Sequence, residues 1–114
     1  MSHPGKKLVW LHGEVKSPPF TSQARVRAGV LLRRIQGGEI IGMPEARAMG
    51  TIGAGCHELR IRDGSTDWRI IYLLEPDAVV ILDVFQKKSQ QTPKHIIDTC
   101  RKRIALYKRI SREP

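Results

Sequence analysis

Three apolar segments between residues 56 and 85 follow one another with very little chain between them, and this spacing constrains the fold more than any other feature. The segments cover residues 56–62, 68–74 and 78–85, and they are joined through DGST and EPD. A parallel connection needs a dozen or more residues, so neighbouring segments must pair as antiparallel hairpins. The third segment is apolar on both faces apart from Asp83, which predicts an interior strand covered on both sides.

The chain on either side of these hairpins predicts two helices. Apolar residues recur at steps of three and four over residues 20–35, and a pair of glycines follows, which is typical of an amphipathic helix and its C-terminus. Thr92 and Pro93 predict the N-cap and the first residue of a second helix. The apolar stripe of that helix is Ile96, Ile97, Cys100, Ile104 and Tyr107.

The remaining segments complete the expected architecture. KLVWLH, residues 7–12, predicts a short strand that SPP at residues 17–19 interrupts. Residues 39–55 hold so many glycines and prolines that we expect a connection, with at most one helical turn at residues 45–49. We therefore predict one α+β domain over residues 1–114. Its small antiparallel sheet has about four strands, packed with one main helix in the N-terminal half and a basic C-terminal helix.

The charge of the chain indicates what kind of partner it has. There are 20 Lys and Arg against 11 Asp and Glu, a net charge of +9, and residues 86–114 alone hold nine basic and two acidic residues. Such an excess favours a polyanion: nucleic acid first, an acidic protein second, and an anionic membrane surface third. No apolar run reaches the length of a membrane span, and no apolar block follows MSHPGKK, so we expect a cytoplasmic protein.

The sequence gives little support for a metal site or for disulfide bonds. The two cysteines are too few for a disulfide framework, and neither they nor the four histidines have the spacing of metal ligands. We therefore expect buried, reduced cysteines, no metal and no cofactor.

The first hairpin brings like charges together. If Arg62 lies opposite Asp67, strand pairing places Arg60 opposite Arg69, and two like charges side by side are destabilising. An anion should lie nearby, and the two candidates are Glu58 and a bound ligand. The alternative interpretation is that acidic neighbours in the sheet simply neutralise both arginines.

A pair of lysines follows the last strand. Lys87 and Lys88 lie between that strand and the predicted start of the second helix, in FQKKSQQTP. A phosphate at this position would meet ammonium groups and the positive end of a helix dipole together. The alternative is a solvated loop, so the adjoining arginine hairpin is what favours an anion site.

Together these segments resemble the RelE/ParE toxin superfamily, in particular its HigB-like, phage-derived branch. The similarity covers residues 8–109, and it is carried by HELRIRDGSTDWRIIYLL, VVILDVFQKKSQQTP and the basic helix that follows. It implies a type II toxin–antitoxin toxin that cleaves mRNA, typically on translating ribosomes, without a cofactor. It also implies neutralisation by a helix-turn-helix antitoxin.

The resemblance also implies roles for individual residues. Arg69 matches the arginine of the family's strand motif, Arg60 the basic residue before the hairpin turn, and Lys87 or Lys88 the basic residue that closes the last strand. Arginine suits stabilisation of the phosphorane, and a lysine can act as base where neighbouring cations lower its pKa. The tyrosine that some members place early in the last helix has no counterpart here, which leaves His95 as the candidate acid. The expected RNA-binding residues are Arg62, Lys94 and Arg101.

Two other functions are compatible with the same sequence. The superfamily includes ParE-like inhibitors of DNA gyrase, which bind a protein target instead of cutting RNA. A phage-derived nucleic-acid-binding protein without catalytic activity could also keep this fold and charge.

Overall fold

A computed structural model describes residues 5–11 and 20–112 of the chain. Its elements in chain order are β1 (Lys7–Trp10), α1 (Ser22–Gln36), β2 (Ala46–Ala48), β3 (Cys56–Asp63), β4 (Thr66–Leu74), β5 (Ala78–Gln86) and α2 (Lys94–Arg112). The predicted α+β class is confirmed. The last residue of the predicted first strand, His12, and the predicted break at residues 17–19 lie outside the described residues.

The described strands form a five-stranded mixed sheet in the order β1-β5-β4-β3-β2. The pairs β3–β4 and β4–β5 are antiparallel, as their short connections required. In contrast, β1 pairs with β5 in parallel, with Lys7 opposite Ala78 and Trp10 opposite Ile81. The prediction of a wholly antiparallel sheet is therefore wrong at this edge, because no short connection fixes the direction of β1 relative to β5.

The expected connection over residues 39–55 contains a strand that was not predicted, β2. Instead of a helical turn, residues 46–48 pair antiparallel with β3, placing Arg47 opposite Glu58. The backbone N–H of Arg60 donates to the Glu45 carbonyl at 2.7 Å, and that of Met49 donates to the Cys56 carbonyl at 2.8 Å. This segment is rich in glycine and proline, which disfavour regular structure. It nevertheless forms a strand, because the open edge of β3 offers hydrogen-bond partners to its backbone groups.

Helix α1 covers one face of the sheet, as predicted. Its buried residues are Ala24, Ala28, Leu31, Leu32 and Ile35. The Thr21 hydroxyl accepts from the Ala24 N–H at 3.2 Å and caps the helix. Asp63, at the end of β3, accepts hydrogen bonds from both the N–H and the hydroxyl of Thr21. The start of α1 is therefore tied to the β3–β4 hairpin.

Helix α2 covers the opposite face, and it begins one residue later than predicted. The Ile97 N–H donates to the Pro93 carbonyl at 3.2 Å, and the Thr92 hydroxyl donates to Glu58 at 3.4 Å instead of capping the helix. The predicted apolar stripe is confirmed: Ile96 and Cys100 are buried, and Ile97, Ile104 and Tyr107 pack on the same core. Over the described ranges, neither helix is long and apolar enough to cross a membrane.

Both cysteines lie in the core on the α2 side of the sheet. Burial raises the pKa of the Cys56 thiol to about 11 and that of the Cys100 thiol to about 12. Both thiols therefore stay protonated near neutral pH and behave as small apolar residues.

We expect Gly55→Ala to destabilise the fold at the start of β3. Gly55 has a φ of +82°, and a Cβ there would lie 3.3 Å from the Leu74 carbonyl oxygen. The left-handed conformation alone should lower the free energy of unfolding by about 1–2 kcal/mol, as measured by urea denaturation. Gly50→Ala is the control, because its φ is not positive and its added Cβ would meet nothing within 4 Å. Equal stability of both variants would contradict this account.

Candidate functional site

The β3–β4 register brings two arginines side by side. Arg60 lies opposite Arg69, and Arg62 lies opposite Asp67, as the hairpin prediction required. Both facing arginines lie on the α2 side of the sheet, because they contact Glu58, whose partner Ile71 belongs to the α2-side core. An anion is indeed needed at this point, and Glu58 provides it.

The Glu58 carboxylate is the centre of the site. Its side chain is 0% exposed, although a buried carboxylate is costly unless cations and hydrogen bonds surround it. Within the described ranges, four cationic groups approach it: Arg47 Nε at 3.3 Å, Arg69 Nε at 3.3 Å, Arg60 Nε at 3.6 Å and Lys87 Nζ at 3.8 Å. We call these four residues the cation cluster.

The cation cluster carries more positive charge than Glu58 can balance. Arg69 is 13% exposed and Lys87 is 8% exposed, so solvent compensates little of the charge of these two residues, whereas Arg47 and Arg60 are more exposed. In the described part of the chain, the buried Nε–H groups of Arg60 and Arg69 have no acceptor with hydrogen-bond geometry, despite their short distances to Glu58. Buried donors without an acceptor are unfavourable, so Glu58 alone does not fully compensate the cation cluster.

The environment of Lys87 lowers the pKa of its amine. Burial lowers the pKa of this lysine, Glu58 opposes the change, and the charges of Arg69, Arg47 and Arg60 lower the pKa further. Strand β4 holds the backbone of this residue in place just past the end of β5, since the Lys87 N–H donates to the Asp67 carbonyl at 2.7 Å. A lysine with a lowered pKa can accept a proton nearer neutral pH than an ordinary lysine.

The cation cluster opens into a groove of about 420 Å³, which we call the basic groove. It is lined by Arg47, Arg60, Asp67, Arg69, Lys87, Lys88, Ser89 and Gln90. Lys88 is exposed at its rim, whereas Lys87 lies deeper beside the carboxylate. The structure thus brings together Arg60, Arg69 and both lysines, as the sequence predicted.

His95 and Lys94 lie outside the basic groove. Both are exposed on the first turn of α2, and neither contributes to the lining. Lys94 Nζ lies 3.9 Å from the carboxylate of Asp98, one turn further along the helix. The structure does not bring the predicted acid to the predicted phosphate position.

The other two predicted RNA-binding arginines have partners elsewhere. Arg62 Nη1 lies 3.1 Å from Asp67, and its Nε donates to the Gly64 carbonyl at 2.8 Å. Arg101 Nε donates to the Thr51 carbonyl at 3.1 Å. Both side chains are exposed, and neither lines the basic groove.

Sequence reasoning missed Arg47 as a site residue, and it treated Glu58 as a neighbouring anion instead of the centre of the site. Arg47 lies in the segment expected to be a connection, and only the pairing of β2 with β3 places it opposite Glu58. The one sequence signal for Glu58 was the need for an anion beside two facing arginines. Across residues 5–11 and 20–112, no three His, Cys, Asp or Glu side chains form a group that could hold a metal ion.

A mixed sheet between two helices, with a basic groove over one buried carboxylate, defines a small RelE-like α+β protein. The family model described as phage-derived protein Gp49-like (DUF891) matches residues 19–105, so the chain belongs to that family. This family is related to the RelE-type toxins of toxin–antitoxin systems. No curated protein sequence matches the chain.

We expect Glu58→Gln to destabilise the protein strongly. The change removes the carboxylate charge and leaves the cation cluster unbalanced in a buried site, which typically costs about 3–5 kcal/mol of unfolding free energy. Urea denaturation at low salt measures the loss. Added inorganic phosphate should recover part of it, because phosphate can bind among the same cations.

Glu39→Gln is the matched control for this prediction. It removes a carboxylate whose partner, Arg34, is equally exposed, so little change is expected. If both variants unfold at the same urea concentration as the unmodified protein, Glu58 does not hold the cluster together.

Proposed function

We propose that the protein is the toxin of a type II toxin–antitoxin system, of the HigB-like, phage-derived branch. We further propose that it is a metal-independent endoribonuclease that cuts mRNA on translating ribosomes and so inhibits translation. The observation that carries this proposal is the cation cluster, which surrounds a single buried carboxylate and opens into the basic groove. Membership of a family related to RelE-type toxins supports the same function.

A phosphodiester fits the basic groove better than other anions of similar size. Guanidinium groups bind phosphate oxygens through parallel N–H donors, and Arg60 and Arg69 face each other on adjacent strands. Both arginines line the basic groove, where their charge would stabilise the negative charge that develops on phosphate oxygens. The substrate must be RNA because the proposed base, Lys87, acts on a 2′-hydroxyl, which DNA lacks.

In this mechanism four residues of the groove have roles. Lys87 takes the proton of the 2′-hydroxyl, whose oxygen then bonds to phosphorus. Arg69, with Arg60, stabilises the additional negative charge of the phosphorane. The bond from phosphorus to the 5′ oxygen breaks, leaving a 2′,3′-cyclic phosphate, and Lys88 at the rim donates the proton to the leaving oxygen. His95 lies outside the basic groove, so this mechanism gives it no role.

The proposed partners follow from the same function. mRNA and the ribosome are polyanions, and a chain of net charge +9 associates with them electrostatically. Exposed Arg62, Lys94 and Arg101 would contact RNA phosphates outside the groove. A helix-turn-helix antitoxin would neutralise the toxin, and both proteins would act in the cytoplasm.

We expect Arg69→Ala to abolish growth arrest while leaving a folded protein. Loss of one donor to a transition-state oxyanion typically lowers the rate about 100-fold or more. The measurement is growth after induction, together with sequencing of new RNA 5′ ends in translated messages. Arg33→Ala removes an exposed arginine from α1 and is the control, with toxicity retained.

Other outcomes of the same induction would contradict the ribonuclease. DNA breaks and an SOS response without new RNA ends would indicate a ParE-like gyrase inhibitor. Normal growth with intact messages, combined with salt-sensitive RNA binding, would indicate a nucleic-acid-binding protein without catalytic activity.

We expect the rate of cleavage to rise with pH and to level off above the lowered pKa of Lys87. The neutral amine is the active form, and its fraction grows as pH approaches that pKa from below. Cleavage of a programmed message on purified ribosomes is followed from about pH 6 to pH 9. Lys87→Arg retains the charge but cannot lose its proton in this range, so its residual rate should lack this rise. An unchanged pH profile in Lys87→Arg would assign the base to another group.

A further inference from the structure

A second groove opens beside the basic groove, and we call it the side groove. Its volume is about 430 Å³, and it shares Arg47 and Gln90 with the basic groove. These two residues border both grooves, so the grooves lie side by side near the start of α2. A polymer whose phosphate lies in the basic groove therefore has its next chemical group beside the side groove.

The walls of the side groove differ in chemistry from those of the basic groove. Apart from the shared arginine, its lining is uncharged and combines apolar Met49 and Ile97 with polar Thr51, Gln91 and Thr92. A nucleobase has this combination of properties, because its faces are apolar and its edge carries donors and acceptors. The amides of Gln90 and Gln91 offer both a donor and an acceptor, as is required to hydrogen-bond the edge of a base.

Hydrogen bonds hold these walls in place before any ligand binds. The Ser89 hydroxyl donates to the Gln91 carbonyl at 2.9 Å, which fixes the turn that presents the two amides. On the opposite wall, Arg101 Nε donates to the Thr51 carbonyl at 3.1 Å. The Arg101 side chain, predicted from sequence as an RNA contact, thus also supports the side groove. A pre-formed wall lowers the entropic cost of binding.

We propose that the side groove binds the base of the nucleotide next to the scissile phosphate, and that Gln90 and Gln91 recognise its edge. This inference rests on the proposed ribonuclease function and assigns the substrate: single-stranded RNA with a base preference at the position adjoining the cut. Arg47 would bind the phosphate at the junction of the two grooves. The cation cluster supplies the chemistry, and the side groove supplies the selectivity.

The test is a binding measurement that does not need cleavage. The probe is a fluorescein-labelled RNA hexamer with 2′-O-methyl groups throughout, compared with hexamers that have one abasic position. Fluorescence anisotropy at low salt gives the affinities of the unmodified protein, Gln91→Ala and Gln90→Ala. Gln23→Ala, which removes an exposed amide from α1, is the matched control.

We expect loss of one particular base to weaken binding to the unmodified protein and to the control about tenfold, the effect of losing hydrogen bonds to one base edge. In Gln91→Ala and Gln90→Ala the same abasic change should cost clearly less, because the variants have already lost contacts to that base. Equal losses in all four proteins, or no binding to any hexamer, would overturn the side-groove assignment.

Failure of the ribonuclease proposal would look different. Base discrimination without any cleaved messages would keep the side groove and remove the catalytic role. Cleaved messages without base discrimination would keep the catalytic role and remove the side-groove assignment.

Discussion

The structure of the site depends on one buried carboxylate. Glu58 is fully buried in the sheet, and a carboxylate in that position stays charged only where cations and hydrogen bonds replace the water it has lost. The arginines depend on this carboxylate in turn. Arg60 and Arg69 face each other across β3 and β4, and two like charges in that position are destabilising without an anion between them. Each charge is tolerable because of the others, so the cluster folds as a unit.

The ratio of charges distinguishes this cluster from an ordinary buried ion pair. Elsewhere on the sheet, buried Asp83 pairs with Arg103 Nη1 at 3.7 Å, and the same guanidinium also donates to the Leu82 carbonyl. That pair joins α2 to β5 inside the core and lines no groove described above. Around Glu58, cations outnumber the carboxylate and their outer sides face a groove. Excess charge beside open space favours binding of an anion, whereas a balanced pair leaves no net charge to attract one.

Local rules were sufficient to predict the central hairpin and part of the site. A two-residue loop between Asp63 and Thr66 fixes the register, and counting back from it places Arg60 opposite Arg69. The position of Lys87 follows similarly from the end of β5. The contribution of Arg47 could not be predicted, since β2 is a three-residue edge strand whose pairing depends on the open edge of β3 and not on its own sequence. The parallel direction of β1 could not be predicted either, because its partner β5 is distant in the chain.

The phosphate-stabilising arginines and the proposed base-reading amides lie in different kinds of backbone. Arg60 and Arg69 project from paired strands, whose backbone is held by the sheet ladder, whereas Gln90 and Gln91 lie in the connection between β5 and α2. Stabilisation of a transition state requires groups fixed to within a fraction of an ångström, which strands provide better than loops. The proton-transfer residues Lys87 and Lys88 lie in the connection, directly after β5. Recognition of a base tolerates variation, and connections accept substitutions at low cost to the fold. Base preference could therefore change through this connection without disturbing the Glu58 cluster, provided that Thr92 keeps its hydrogen bond to the carboxylate.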